Sequence, residues 1–295
     1  MRLIAIGEIL WDLFCNEERL GGAVLNLAAH ATRLGHDVAL VSAVGDDERG
    51  RRALARAREL GLSTRFVPAL PGRETGIVTV ALDERGQPSY IIHRLAAYDF
   101  ATLDDADFAA LVSPPPDWIC YGTLHSMHPG ARQLLRSVLE RFPSAGRFYD
   151  INLRKDSFRP ALVRELIESA TLVKLNDSEV QALQEMFALP ESSLEAFCRE
   201  FTRRFGWRGM CVTRGAEGCA VLLDGEYVEI PGYPVQVVDT VGAGDAFAAG
   251  FLHGVAAGWP LSRIADFANR LGALVASRSG GTPAWTIEEI QTLGA

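Results

Sequence analysis

Val238-Asp239-Thr240-Val241-Gly242-Ala243-Gly244-Asp245-Ala246-Phe247-Ala248-Ala249-Gly250 follows a β-rich stretch, Glu226–Val238, and opens a helical segment rich in small residues that reaches about Ala257. Gly242 and Gly244 bracket one alanine, so the backbone can turn tightly and present bare N–H groups. At the start of a helix, unpaired donors and the macrodipole favour an anion. Asp245 falls in the first turn of that helix. A site that only holds phosphate would avoid a carboxylate, because the ligand repels it. Phosphoryl transfer needs one, as the base that takes the proton of the attacking hydroxyl. Taken alone, Asp245 reads equally well as a helix-start residue that satisfies the dipole.

Other glycine motifs do not fit. A dinucleotide G-x-G-x-x-G would need glycine at 247, where Phe247 stands, and it would follow the first strand of its fold. Gly45–Gly50 continues into Arg51-Arg52 and lacks the Lys-Ser/Thr of a P-loop. Neither H-E-x-x-H nor G-x-S-x-G occurs.

Working outward, short apolar runs (Arg2–Gly7, Val38–Val44, Trp118–Tyr121, Arg147–Ile151, Leu172–Leu175, Gly209–Thr213, Cys219–Leu223) alternate with segments of helical period. The latter include Ala23–Leu34, Glu48–Leu60, Ala131–Phe142 and Phe158–Ser169. Buried strands alternating with helices predict an α/β fold on a mostly parallel sheet. One stretch departs from this. Thr75–Leu82 and Pro88–Arg94 have strand composition and flank Asp83–Gln87, with Gly86 suited to the turn, which predicts a β-hairpin. That hairpin is either a separate flap or an antiparallel edge of the main sheet.

The chain of 295 residues, with a formal charge of −8, gives no electrostatic footprint for nucleic acid or an anionic membrane. No run approaches the ~20 apolar residues of a membrane span, and the N-terminal apolar run is broken at Glu8 and Asp12, unlike a signal peptide. Five scattered cysteines (Cys15, Cys120, Cys198, Cys211, Cys219) without a C-x-x-C pair read as core residues in a reducing compartment. The expectation is a cytoplasmic protein. His125 and His128 have no evident third partner and read as solvent or loop histidines. Arg49, Arg51, Arg52, Arg56 and Arg58 have acidic neighbours and read as a solvated helix face.

The block Asp239–Phe251 closely resembles the C-terminal signature of the PfkB/ribokinase family of carbohydrate kinases. Gly21-Gly22-Ala23-Val24-Leu25-Asn26-Leu27-Ala28 resembles the family's N-terminal signature, continuing to Arg33-Leu34-Gly35. Asn176-Asp177-Ser178-Glu179 is similar to its Asn-x-x-Glu element, and Val212–Gly218 to its Thr-x-Gly segment. The matches fall in family order and run from Gly7 to the Gly280-Gly281 region. The resemblance implies one ribokinase-like domain over 1–295, a three-layer sandwich with a mostly parallel central sheet and a small β lid. The lid segments would lie at approximately 8–20 and 73–98.

The resemblance also implies roles. Asp245 would be the catalytic base, and the N–H groups of Gly242, Ala243 and Gly244 an anion hole for the transferred phosphoryl group. Asn176 and Glu179 would organise Mg²⁺ and the phosphates of ATP, the co-substrate, with Glu179 acting through water; a helix-capping role is the alternative for Glu179. Thr213 and Gly215 would lie along the nucleotide, with Asn269 near the adenine or merely solvated. Asp239, with the Val241 carbonyl, resembles a monovalent-cation (K⁺) site, the alternative being a structural cap. Asp12, Gly22 and Asn26 would grip sugar hydroxyls, although Val24 stands where the family often has proline. Closing the lid would exclude water, and relatives pair through it, so a homodimer through the β lid is expected.

For the acceptor, Gly7–Asp12, Leu20–Ala23, Ala97–Asp99 and Tyr121–Leu124 resemble fructokinase-like members. Asp150-Ile151-Asn152-Leu153-Arg154 is shared with 2-keto-3-deoxygluconate kinases, where Arg154 would meet a carboxylate; contact with phosphate is the alternative. Ribose and nucleosides remain open as acceptors. Outside enzymes, a non-catalytic sugar or nucleotide sensor on the same scaffold is the rival, separable by ligand-induced stabilisation without ADP production. A nicotinamide enzyme is a more distant rival, separable by whether NAD or ATP protects the fold.

Overall fold

The computed structural model describes residues 1–14, 17–82, 88–154, 157–189 and 193–294. Cys15 and the hairpin turn at 83–87 lie outside the described residues. The strands are β1 (Arg2–Ile6), β2 (Leu10–Leu13), β3 (Glu18–Gly21), β4 (Asp37–Val41), β5 (Val44–Gly45), β6 (Ala69–Leu70), β7 (Gly76–Leu82), β8 (Pro88–Ile92), β9 (Trp118–Gly122), β10 (Gly146–Asp150), β11 (Leu172–Asn176), β12 (Gly209–Thr213), β13 (Cys219–Leu223) and β14 (Glu226–Ile230). The helices are α1 (Ala23–Arg33), α2 (Glu48–Glu59), α3 (Asp105–Val112), α4 (Thr123–Ser126), α5 (Pro129–Arg141), α6 (Pro160–Ser169), α7 (Asp177–Met186), α8 (Leu194–Phe205), α9 (Ala243–Ala256), α10 (Leu261–Ala276) and α11 (Ile287–Thr292).

The main sheet has the strand order β14-β13-β12-β11-β10-β9-β1-β4. β1 and β4 run parallel, as do β10, β11 and β12, while β13 and β14 complete one edge antiparallel. Continuous apolar strands suit this arrangement, because a parallel sheet is covered on both faces. Leu3, Ile4, Ala5 and Ile6 of β1 are accordingly all fully buried.

The chain divides into two compact units, one of Arg2–Ile119 and Leu124–Ala145, the other of Met1, Cys120–Thr123 and Gly146–Ala295. Within the first, the predicted hairpin strands β7 and β8 do not edge the main sheet. They join β2 and β3 in a separate four-stranded sheet of order β3-β2-β7-β8, with β2 and β7 parallel. Helix α2 holds that sheet through its basic face. Trp11 Nε1 donates to the Arg49 carbonyl at 3.1 Å, Arg52 lies over the Trp11 ring at 4.4 Å, and Glu18 pairs with both arginines at 2.7 Å. The arginine run thus has specific partners on β2 and β3 as well as on its own helix, where Arg56 meets Glu59.

Two predicted strands end early. The Val38–Val44 run splits into β4 and β5. The β-rich stretch ends at Ile230, because Pro231 has no N–H to donate to a ladder. Val238 and Asp239 instead donate their N–H groups to the Ala276 carbonyl at the end of α10.

Candidate active site

The second unit carries most of the predicted site residues, at the C-terminal ends of β10, β11 and β12 and at the start of α9. In open parallel sheets that edge is where ligands bind. Gly242 is the N-cap of α9 with φ +77°, a left-handed conformation that disfavours side chains. The first N–H groups of a helix lack intrahelical acceptors, and here one is already engaged: Ala243 donates to the Thr240 carbonyl at 3.3 Å. Of the expected anion hole, the Ala243 N–H is thus engaged within the turn, and the expectation rests on Gly242 and Gly244. Asp245, one residue on, is buried in the first turn.

Asp150 ends β10 and Lys174 lies on β11, and the lysine Nζ is 3.0 Å from both carboxylate oxygens. The ammonium sits against α9: a Cβ on Gly244 would fall 3.2 Å from it. Burial by itself would lower the lysine's proton affinity, but Asp150, Glu179 and Asp245 outweigh that and raise it. Sequence reading missed Lys174. A lysine inside an apolar strand run was its one signal.

Asn176 and Glu179 form a reciprocal capping box at the start of α7. The Asn176 Oδ1 accepts from Glu179 N at 3.0 Å, and Glu179 Oε2 accepts from Asn176 N at 2.8 Å. The other oxygen, Oε1, accepts from Leu153 N at 2.6 Å, so Glu179 also anchors the Asp150–Arg154 loop. Burial pushes the Glu179 carboxyl up, against the opposing pull of Lys174. Asn152, in that loop, has φ +40°, and Arg154 is exposed. The cap predicted as an alternative for Glu179 is present. Each Glu179 oxygen already accepts a backbone N–H, so a Mg²⁺ contact would use the remaining lone pairs or a bridging water.

Thr213 ends β12, its hydroxyl 3.5 Å from the Leu175 carbonyl. Gly215 has φ +54° with open space where a Cβ would stand, so its glycine serves backbone shape. Asn269 is buried, contrary to a solvated reading, and its Nδ2 donates to the Pro231 carbonyl at 2.8 Å. One of its two amide N–H groups is thereby committed to the loop after β14. Asp239 bridges two loops, accepting from Val241 N and from Gly280 N, each at 3.0 Å. The capping alternative is therefore realised, and a cation would add to it.

The first unit holds the predicted sugar-side residues. Asp12 lies on β2, and its Oδ2 occupies the space a Cβ on Gly21 would need, 2.7 Å away. Gly22, with φ +117°, is the N-cap of α1, and a Cβ there would strike the Glu8 carbonyl oxygen at 2.2 Å. Glu8 Oε1 accepts from Ala23 N at 3.1 Å, so the cap comes from a distant carboxylate that local sequence did not flag. Asn26 is buried in the next turn. Val24 packs on Gly7, where any Cβ would meet Val24 Cγ2 at 2.4 Å.

Nearby, Arg94 Nη2 donates to the fully buried Asp99 at 2.9 Å and its Nη1 to the Leu124 carbonyl at 3.2 Å. His125 is buried, correcting its reading as a solvent or loop residue, and burial pushes its imidazole down to about 4. His128 Nδ1 accepts from Gly130 N and caps α5. No group of three His, Cys, Asp or Glu suited to a metal occurs among the described residues. No described helix is long and apolar enough to cross a membrane.

Residues 7–287 match the model of the pfkB family of carbohydrate kinases. The chain is 29% identical over 303 residues to a fructokinase of Klebsiella pneumoniae, covering 96% of this chain and 95% of that one. An uncharacterized sugar kinase of Pyrococcus horikoshii in complex with ATP superposes with a TM-score of 0.82 at 25% identity, over 99% of this chain and 100% of the other. A double mutant of Vibrio cholerae fructokinase with fructose, ADP and potassium superposes with a TM-score of 0.84 at 22% identity, over 100% and 98%, which supports the ribokinase-like fold. A match over nearly its whole length, with the glycine turn and buried aspartate of α9 inside it, makes this chain a member of the pfkB family of carbohydrate kinases.

Proposed function

We propose that the protein transfers the γ-phosphoryl group of ATP to a sugar hydroxyl, with fructose as the acceptor. The observation that carries the chemistry is the buried Asp245 directly after Gly244, in the first turn of the helix that Gly242 caps. Asp245 takes the proton of the acceptor hydroxyl. The sugar oxygen forms its bond to the γ-phosphorus as the bond to the β–γ bridging oxygen breaks, and ADP leaves. The helix-start N–H groups steady the charge on the transferred oxygens. Fructose is favoured by the full-length similarity to the Klebsiella fructokinase.

Asp12, Gly22 and Asn26 grip the acceptor. Thr213 and Gly215 border the nucleotide, and Asn269 shapes that border by holding the Pro231 loop. Asn176 and Glu179 face the phosphates. Mg²⁺, held through water by Glu179, supplies charge neutralisation on the phosphates. K⁺ at Asp239 and the Val241 carbonyl would stiffen the turn into α9. The sheet β3-β2-β7-β8 serves as a lid that excludes water, a competing acceptor, and as the surface of a homodimer. The protein works in the cytoplasm with its cysteines reduced. The exposed Arg154 favours a second reading, a carboxylate-bearing acceptor such as 2-keto-3-deoxygluconate.

The test is ADP release from Mg·ATP with fructose, other hexoses, 2-keto-3-deoxygluconate, ribose and adenosine. Turnover highest with fructose supports the assignment. Turnover highest with another acceptor sinks fructose and keeps the chemistry. ATP binding without ADP release from any acceptor would favour the sensor.

A further inference from the structure

Lys174 is a buried ammonium whose placement the capping and turn geometry does not require. Among the described residues, its hydrogen bonds both go to Asp150, which leaves its third N–H without a protein acceptor. Nζ lies where Gly244 has no side chain: a Cβ there would come within 3.2 Å of Nζ and 3.6 Å of Cε. Gly244 has no positive φ. A Cβ there would press the ammonium back by a few tenths of an ångström, so Gly244 lets the lysine come close, whereas the glycine at 242 serves backbone shape. Titratable groups face the ammonium from several elements: Asp150 from β10, Glu179 from α7, Asp245 from α9 and Cys211 from β12.

We propose that Lys174 is a positioning residue for phosphoryl transfer, its charge acting through Gly244 on the anion site of α9 and balancing the carboxylates of Asp150, Glu179 and Asp245. This rests on the reading of Gly242 and Gly244 as anion donors. A buried cation behind those donors deepens the positive potential of the helix start without touching the sugar. The same charge keeps three neighbouring carboxylates compatible with an incoming polyanion. The effect falls on the transferring phosphoryl group, so it appears in kcat and in phosphate affinity more than in the KM for ATP.

Removing the lysine alone would strand a buried Asp150, so the comparison is Asp150→Asn against the double variant Lys174→Met/Asp150→Asn. Inorganic phosphate, in the presence of ADP, is the probe of the anion site, read by thermal shift. Relative to Asp150→Asn, the double variant is expected to melt within a few degrees, lose on the order of 30-fold in kcat and bind phosphate at least about fivefold more weakly, with the KM for ATP within about threefold. That loss is smaller than the ~10²–10³ expected for a direct oxyanion donor. Equal kcat and equal phosphate affinity in the two variants would overturn the inference. So would failure of the double variant to fold beside a folded Asp150→Asn, since the lysine would then be structural. A wild type that turns over ATP but gains no protection from phosphate removes the anion-site reading itself, and this inference with it.

Discussion

A Cβ on Gly242 would fall 2.4 Å from the Gly281 carbonyl oxygen, so the turn into α9 closes directly against the loop after α10. Gly242→Ala would add that clash to the strain of a left-handed φ of +77°. Strain of this kind costs about 1–3 kcal/mol and overpacking a similar amount. The expected result is a lower denaturant midpoint and an anion site pulled out of line, with kcat falling more than the KM for ATP rises. Unchanged stability in Gly242→Ala would mean that the turn is looser than the structure shows.

Asp245→Asn keeps the shape of the buried side chain and removes its ability to take a proton. General-base catalysis contributes on the order of 10²–10⁴ in rate. The variant should lose at least that much kcat while ATP still raises its melting temperature. Activity within tenfold of wild type would assign the aspartate to the helix dipole instead.

Asn176 separates capping from ligand contact. Asn176→Ala should cost about 1 kcal/mol through the lost cap of α7. Asn176→Asp restores the cap acceptor but brings a negative charge towards the phosphates, so stability should return while the KM for ATP rises about tenfold or more. If KM stays at the wild-type value in the aspartate variant, Asn176 is a cap and nothing else.

His125 gives a pH signature. Burial lowers its imidazole from 6.5 to about 4 in the fold, so between those values the unfolded chain binds more protons than the native one. Stability should therefore be level above about pH 6.5 and fall as the pH drops towards 4, by roughly 3 kcal/mol over the whole window. Urea titrations from pH 7.5 to 4.5 should show a shallower fall in His125→Gln than in wild type. Parallel curves would mean that the imidazole titrates normally.

Asp239 ties Val241 to Gly280. If a cation completes that tie, exchanging K⁺ for tetramethylammonium should lower kcat several-fold in wild type and leave Asp239→Ala, already slow, unaffected. Equal rates in both salts would make Asp239 a purely structural bridge.

Much of this was legible in the sequence because it depends on local pattern. Apolar runs of four to seven residues must be covered on both faces, which dictated the alternating α/β plan. Gly242 and Asp245 were legible because a positive φ and a first-turn carboxylate are properties of a few adjacent residues. The Asn176 and Glu179 spacing likewise predicted a helix start, and the structure has one.

Tertiary structure decided what depends on residues distant in sequence. Only folding brings the Lys174 ammonium to within 3.2 Å of where a Cβ on Gly244 would stand, a contact that the local pattern does not contain. Only folding sets β2 beside β7, two short strands with more than sixty intervening residues, and makes the predicted hairpin part of a sheet of its own. It also hands the amides of Val238 and Asp239 to Ala276 and the Asn269 amide to Pro231. Periodicity records which side of an element is apolar. Which charged or amide group meets that element from elsewhere in the chain depends on chain topology, and no local pattern encodes it.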